Sequence, residues 1–92
     1  MKTTKVRQLT SPRSGQPVAN QFEIVTPKGT YFQSYRSIIA FKPNKGPIAL
    51  DKVFWDYSVT TNKYLAQFLG FGKAQQREQI KSKDIILKDL NK

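Results

Sequence analysis

Apolar and polar residues alternate with a period of two from Asn20 to Leu50. Phe22, Ile24 and Thr26 take turns with Gln21, Glu23 and Val25, after which Pro27-Lys28-Gly29 supplies turn chemistry. Thr30-Tyr31-Phe32-Gln33-Ser34-Tyr35 is rich in β-formers and alternates again, so the two stretches predict an antiparallel hairpin. Ser37-Ile38-Ile39-Ala40-Phe41 is a short continuous apolar run, as expected of a buried strand. Pro43-Asn44-Lys45-Gly46-Pro47 marks another turn, and Ile48-Ala49-Leu50 a further short strand. Helix is a poor alternative here, because Pro and Gly interrupt the pattern too often.

Beyond residue 57 the period changes. Ser58-Val59-Thr60-Thr61 offers N-cap oxygens, Tyr64, Leu65, Phe68 and Leu69 form one helical stripe, and Gly70 stands where a C-terminal glycine ends a helix. A second, mostly polar helix is expected from Lys73 to Lys81, with Ala74 and Ile80 as its apolar contacts. Asp84 to Leu90 reads as a closing strand that rejoins the sheet. The fold class is therefore α+β: a small, mainly antiparallel sheet of three to five strands, one face covered by one or two helices. Residues 20–92 form this single domain. Residues 1–19, with four cations, no acid and scattered apolar positions, read as a flexible basic arm that is either a solvated tail or a binding element.

Composition sharpens the picture. Ninety-two residues are enough for one domain, and the 12% aromatic share supplies large buried area to a chain of modest apolar content. Sixteen Lys and Arg against six Asp and Glu leave a formal charge of +10. With no Cys and no His, disulfides, thiolate chemistry and imidazole catalysis are excluded. The balance favours a protein that holds an anionic partner over one that transforms a substrate, and no cofactor is expected. The basic start (Lys2, Lys5, Arg7) is followed by Gln8 to Pro12 with no apolar run, so neither a signal peptide nor a membrane span is expected, and the location reads as cytoplasmic.

Two blocks invite comparison: Tyr31-Phe32-Gln33-Ser34-Tyr35-x-Ser37-Ile38-Ile39-Ala40-Phe41, and the run from Leu50-Asp51 through Trp55-Asp56-Tyr57-Ser58 to Phe68-Leu69-Gly70. Over residues 14 to 91 the chain resembles a family of short, functionally uncharacterised proteins found in phages and other mobile elements of Gram-positive bacteria. The resemblance implies an accessory gene of such an element and carries no functional residues with it.

Candidate chemistry comes mainly from rings set among cations. Lys28, Tyr31, Tyr35, Arg36, Lys42 and Lys45 fall in one acid-free stretch, joined by Arg7 and Arg13 of the arm. If Tyr31, Gln33 and Tyr35 share a strand face, Phe32 and Ser34 take the other. Tyrosines on an open sheet beside cations suit nucleic acid, with bases on rings and phosphates on Lys and Arg. The alternative is that both tyrosines pack against a helix and the cations only solubilise. Trp55 and Tyr57 are candidate contacts for a protein partner; equally, Trp55 plugs the core while Asp56 or Ser58 caps the helix. Asp51 and Asp56 are a weak candidate metal pair, and Asp51 also fits a turn. No phosphate-binding glycine loop is present. The leading expectation is a non-enzymatic nucleic-acid-binding accessory protein of low sequence specificity. The second is a modulator of a host enzyme, such as a defence nuclease or a replication factor.

Overall fold

The alternating stretch folds as a meander. The computed structural model describes residues 4–11, 13–56 and 58–91. In chain order these form β1 (Lys5–Thr10), β2 (Pro17–Thr26), β3 (Gly29–Ser34), β4 (Ser37–Pro43), β5 (Ile48–Asp51), α1 (Val59–Leu69), α2 (Lys73–Ser82) and β6 (Ile85–Lys88). The strands lie side by side in sequence order in a single sheet. Successive pairs are antiparallel except β5–β6, which is parallel because α1 and α2 carry the chain back before it closes.

Among the described residues the sheet thus has six strands, not three to five. The sixth comes from the expected arm: Lys5–Thr10 pairs with β2 along Lys5–Val25, Val6–Ile24, Arg7–Glu23 and Gln8–Phe22. Val6 and Leu9 looked scattered because they serve opposite faces. Val6 is exposed on one side while Leu9 is buried on the other. β2 begins at Pro17 and runs through the boundary expected at residue 20.

Register assigns the two faces. One continuous row crosses the sheet through Glu23, Phe32, Ala40 and Leu50. Phe32, Ala40 and Leu50 are fully buried under the helices. A bulge in the β3–β4 ladder sets Phe32 opposite Ala40 and Gln33 opposite Ile38, leaving Ile39 as the extra residue. The bulge turns Ile39 inward beside Ala40, so the continuous apolar run of β4 feeds both faces in turn. Gly29 permits the tight approach of β3 to β4, since a Cβ there would lie 2.7 Å from the Pro43 Cα and 2.8 Å from the Phe41 ring.

Helix α1 has the ends expected of it. Ser58 accepts a bond from the Thr61 N–H, and Gly70, at φ 90°, donates its own N–H to the Ala66 carbonyl. Its buried face sets Tyr64, Leu65 and Phe68 against the sheet, with the Phe68 ring 5.6 Å from that of Phe32. Polar α2 lies against β6, with Ile80 packed on the core that Ile85 completes.

Asp51, 1% exposed, ties the end of β5 to two other segments. Its Oδ2 accepts from the Val53 and Phe54 N–H at 3.0 and 2.9 Å, closing the turn that follows. Its Oδ1 accepts from the Leu90 N–H at 2.8 Å and the Asn91 amide at 3.0 Å. Asn91 also bonds both ways with the Ile38 backbone, occupying the place beside β4 that short β5 does not reach. Burial by itself would raise the Asp51 pKa. The bonds from Leu90, Phe54, Val53 and Asn91 outweigh it and hold the carboxyl below its ordinary 3.8.

A carboxyl whose pKa is depressed on folding adds stability that is complete above its unfolded value and is lost as pH falls through the folded one. The Asp51 contribution is therefore expected to be constant at neutral pH and to fade only below about pH 4. Asp51→Ala should cost about 2–4 kcal/mol in urea unfolding at pH 7, because four donors lose an ionised acceptor. At pH 2.5 the wild type and the variant should differ less.

Candidate nucleic-acid interface

On the face away from the helices a second row spans the whole sheet, one residue per strand: Val6, Ile24, Tyr31, Phe41, Ala49 and Ile86. Every member is apolar or aromatic. Phe22 and Ile38 flank the row through their pairing with Gln33. Apart from the small Ala49, none of these side chains is buried, and none belongs to the core cluster under α1 and α2. β2 even inverts the usual order. Gln21 is 0% exposed beneath the helix side, whereas Phe22 and Ile24 lie on the uncovered side. A strand normally turns its apolar set toward the core, so this arrangement reserves an apolar surface on the open face.

Tyr31 and Phe41 form the centre of that surface. They are direct cross-strand partners with ring centroids 4.3 Å apart and planes inclined by 27°. Past them the sheet ends in two cationic turns. Lys28 lies in the β2–β3 turn and Lys45 in the β4–β5 loop, and the two are fastened together. The Asn44 N–H donates to the Lys28 carbonyl at 3.0 Å, and the Asn44 amide to the Pro27 carbonyl at 2.7 Å. Both lysines are exposed, and no acidic partner holds either one among the described residues. Of the rings and cations expected together from the sequence, Tyr31 lies in this row, and Lys28 and Lys45 lie in the turns at this end of the sheet.

Other candidates lie elsewhere. Tyr35 does not share a strand face with Tyr31. It occupies the β3–β4 turn at φ 57°, with its N–H bonded to the Asn20 carbonyl at 2.7 Å, and Arg36 follows it there. Both are exposed at the opposite end of the sheet from Lys28 and Lys45. Arg13 sits in the β1–β2 connection at that same end. Arg7 is on the helix side of β1, bonded to Glu23.

Lys42 also departs from expectation. Paired with Thr30 on the helix side, it donates Nζ to the Phe68 carbonyl at 2.9 Å and lies 4.5 Å from the centre of the Phe68 ring. It thereby satisfies a carbonyl at the C-terminal end of α1, where positive charge is favoured. Trp55 packs against the core with Lys73 Nζ 4.2 Å above its ring. Lys73 and Arg77 flank Asp56 at 3.3 and 3.9 Å. The Asn62 amide and Lys73 lower the Asp56 pKa against a small opposing effect of burial, with the Arg77 charge adding to the fall. Tyr57, the other candidate protein contact, lies outside the described residues. Among the described residues no group of three or more acidic side chains gathers to hold a metal, and no helix is long and apolar enough to cross a membrane.

Sequence reasoning missed Phe41, Ile24, Ile86 and Val6 as members of one surface. The register supplies the signal, since Phe41 stands opposite Tyr31 once Ile39 is counted as a bulge. It also missed a cleft of about 700 Å³ between the β3–β4 turn and the start of α1. There Tyr35, Arg36 and Ser37 face Ser58, Thr60 and Thr61.

A family of unknown function (DUF8033) matches the chain over residues 4–87. No curated protein and no solved structure matches it.

If Lys42 serves the helix and not a ligand, Lys42→Ala should lower stability by about 1–2 kcal/mol in urea unfolding, and Lys42→Met, which keeps the apolar stem, by less.

Proposed function

The chain belongs to that family of unknown function, so its role has to be read from its own surfaces, and we propose that it binds single-stranded nucleic acid on the uncovered face of its sheet. The observation that carries this reading is the pairing of Tyr31 with Phe41 in an open apolar row, three and four residues from Lys28 and Lys45. Bases present flat apolar faces to such rings, while phosphates need cations at the rim. Unstacked bases fit this chemistry better than a duplex, whose base faces are already covered.

Charge selects among the occupants of an apolar face. A second copy would bring one body of +10 against another, and the repulsion opposes a face-to-face dimer. A polyanion instead gains from the same field and releases its counterions on binding. No base-edge reader lies on the row itself, which supports low sequence specificity. In this reading the protein acts by binding, without catalysis, in the cytoplasm of a bacterial host, as a small accessory of a phage or mobile element.

Fluorescence anisotropy with labelled single-stranded DNA and RNA tests the proposal. Binding should be measurable at low salt and should weaken steeply as salt rises. Loss of stacking on Tyr31→Ala should cost about 1–3 kcal/mol, or about 5- to 150-fold in affinity, with the fold preserved by circular dichroism. Lys28→Gln and Lys45→Gln should each flatten the salt dependence by about 0.7 in slope. Absence of binding to either nucleic acid at low salt would refute the reading, as would a Tyr31→Ala variant that binds like wild type.

A further inference from the structure

The cleft at the far end of the sheet is chemically unlike the open face. Among the described residues Arg36 is the only charged side chain lining it, and the rest of its polar wall is hydroxyl and amide. Three of those hydroxyls are engaged with one another: Ser34 Oγ lies 2.9 Å from Thr61 Oγ1, which also accepts from Ser58 Oγ at 3.0 Å. Arg36, Ser37 and Thr60 are different. No side-chain partner holds any of them among the described residues, and Arg36 and Thr60 are exposed.

The backbone adds donors. In α1 the Thr61 N–H is taken by Ser58 Oγ, while the Val59 and Thr60 N–H groups precede the first intrahelical bond and have no partner among the described residues. The first turn carries no acid to compensate the positive end of the helix. A further observation lies behind the wall, beside Ser34. Gln21 stands directly opposite Ser34 in the β2–β3 ladder, and antiparallel partners project to the same side. Gln21 therefore projects beside a cleft-lining hydroxyl without lining the cleft itself; it is 0% exposed, and neither atom of its amide has a partner among the described residues. A buried amide with both ends unmet is costly, and such a group commonly answers to a bound water or ligand.

We propose that this cleft binds a nucleotide through its phosphomonoester, with the phosphate held by Arg36, the Thr60 hydroxyl and the α1 N–H groups, and with the base against Tyr35. A doubly charged phosphate matches a lone guanidinium and a helix N-terminus with no carboxylate among the lining groups. The volume suits a unit of nucleotide size. Tyr35 is 53% exposed and held by its left-handed backbone at the mouth, where an aromatic ring stacks a base. The phosphate has two sources, a free mononucleotide or the phosphorylated end of a strand. The site is separate from the open face, so the two readings stand or fall apart.

Amide NMR titration of the full chain with adenosine 5′-monophosphate, adenosine and inorganic phosphate is the test. The monophosphate should move the Arg36, Ser37 and Thr60 amide signals, adenosine should not, and inorganic phosphate should bind more weakly than the nucleotide. Arg36→Gln should weaken the nucleotide by about tenfold or more, whereas Lys81→Gln, an equal charge change, should not. Oligonucleotides with and without a 5′-phosphate then separate the sources. Tighter binding of the phosphorylated strand, lost in Arg36→Gln, assigns the strand end; shifts with the mononucleotide alone assign the free nucleotide. Tyr31→Ala should leave the mononucleotide titration unchanged, so failure of the open-face reading does not mimic failure here. Lack of shifts at these amides with both the mononucleotide and the 5′-phosphorylated strand would overturn the proposal. So would equal affinity for inorganic phosphate and the mononucleotide.

Discussion

Two helices, of eleven and ten residues, have to cover a sheet of six strands. They reach one face only, and nearly everything else about the molecule follows from that shortage. Apolar burial is the main favourable force of folding, and here it is concentrated where Phe32, Ala40, Leu50 and Ile85 meet Tyr64, Leu65 and Phe68. The opposite face is left to water. A sheet with one solvated side ordinarily carries polar residues there. This one carries an unbroken line from Val6 to Ile86, while a glutamine is buried on the covered side. Stability alone does not account for such an exchange.

Charge works on a different scale from packing. Ten surplus positive charges on so small a body strain its compactness, yet several are spent inside the fold. Lys42 closes the end of α1, Lys73 roofs Trp55 and helps neutralise Asp56, and Arg7 answers Glu23. Of the others, Arg13, Lys28, Arg36 and Lys45 lie at the two ends of the sheet in turns that join strands, while Lys63 and Lys81 stand on the helices. Turns tolerate them because their side chains remain hydrated.

Where a signal was local, the sequence was readable. Ser58 and Gly70 sit at the two ends of α1 because capping needs only a few consecutive residues, and the hairpin at Pro27-Lys28 follows from turn chemistry of the same kind. The meander and the closing strand were legible for that reason. β1 was not, since an edge strand has one neighbour and its two apolar residues serve opposite sides. Alternation in β2 gave the period but not the side, which only the partner strands decide. The bulge at Ile39 shifts the register without any glycine or proline to announce it. Of the candidate site, Lys28, Lys45 and Tyr31 were recognisable as rings among cations. Phe41 and the hydroxyls of the cleft were not, because their meaning arises from contacts across strands and between the β3–β4 turn and α1. The bond from Lys42 to the end of α1 was not legible either, as a lysine's usefulness to a helix end is invisible until the helix is placed above it.

Asp51 connects segments 39 and 40 residues apart, and this bears on how the molecule is made. During synthesis the hairpins of β1 to β4 emerge early and can pair from local contacts. β5 follows with a carboxylate already drawn into its turn, but half of that carboxylate's donors have yet to leave the ribosome. Until residues 85 to 91 arrive, the nascent sheet shows a raw edge at β5, the kind of surface that joins wrongly to other chains. The last strand and Asn91 act as a clasp, and until it shuts the polypeptide is one that chaperones would be expected to hold.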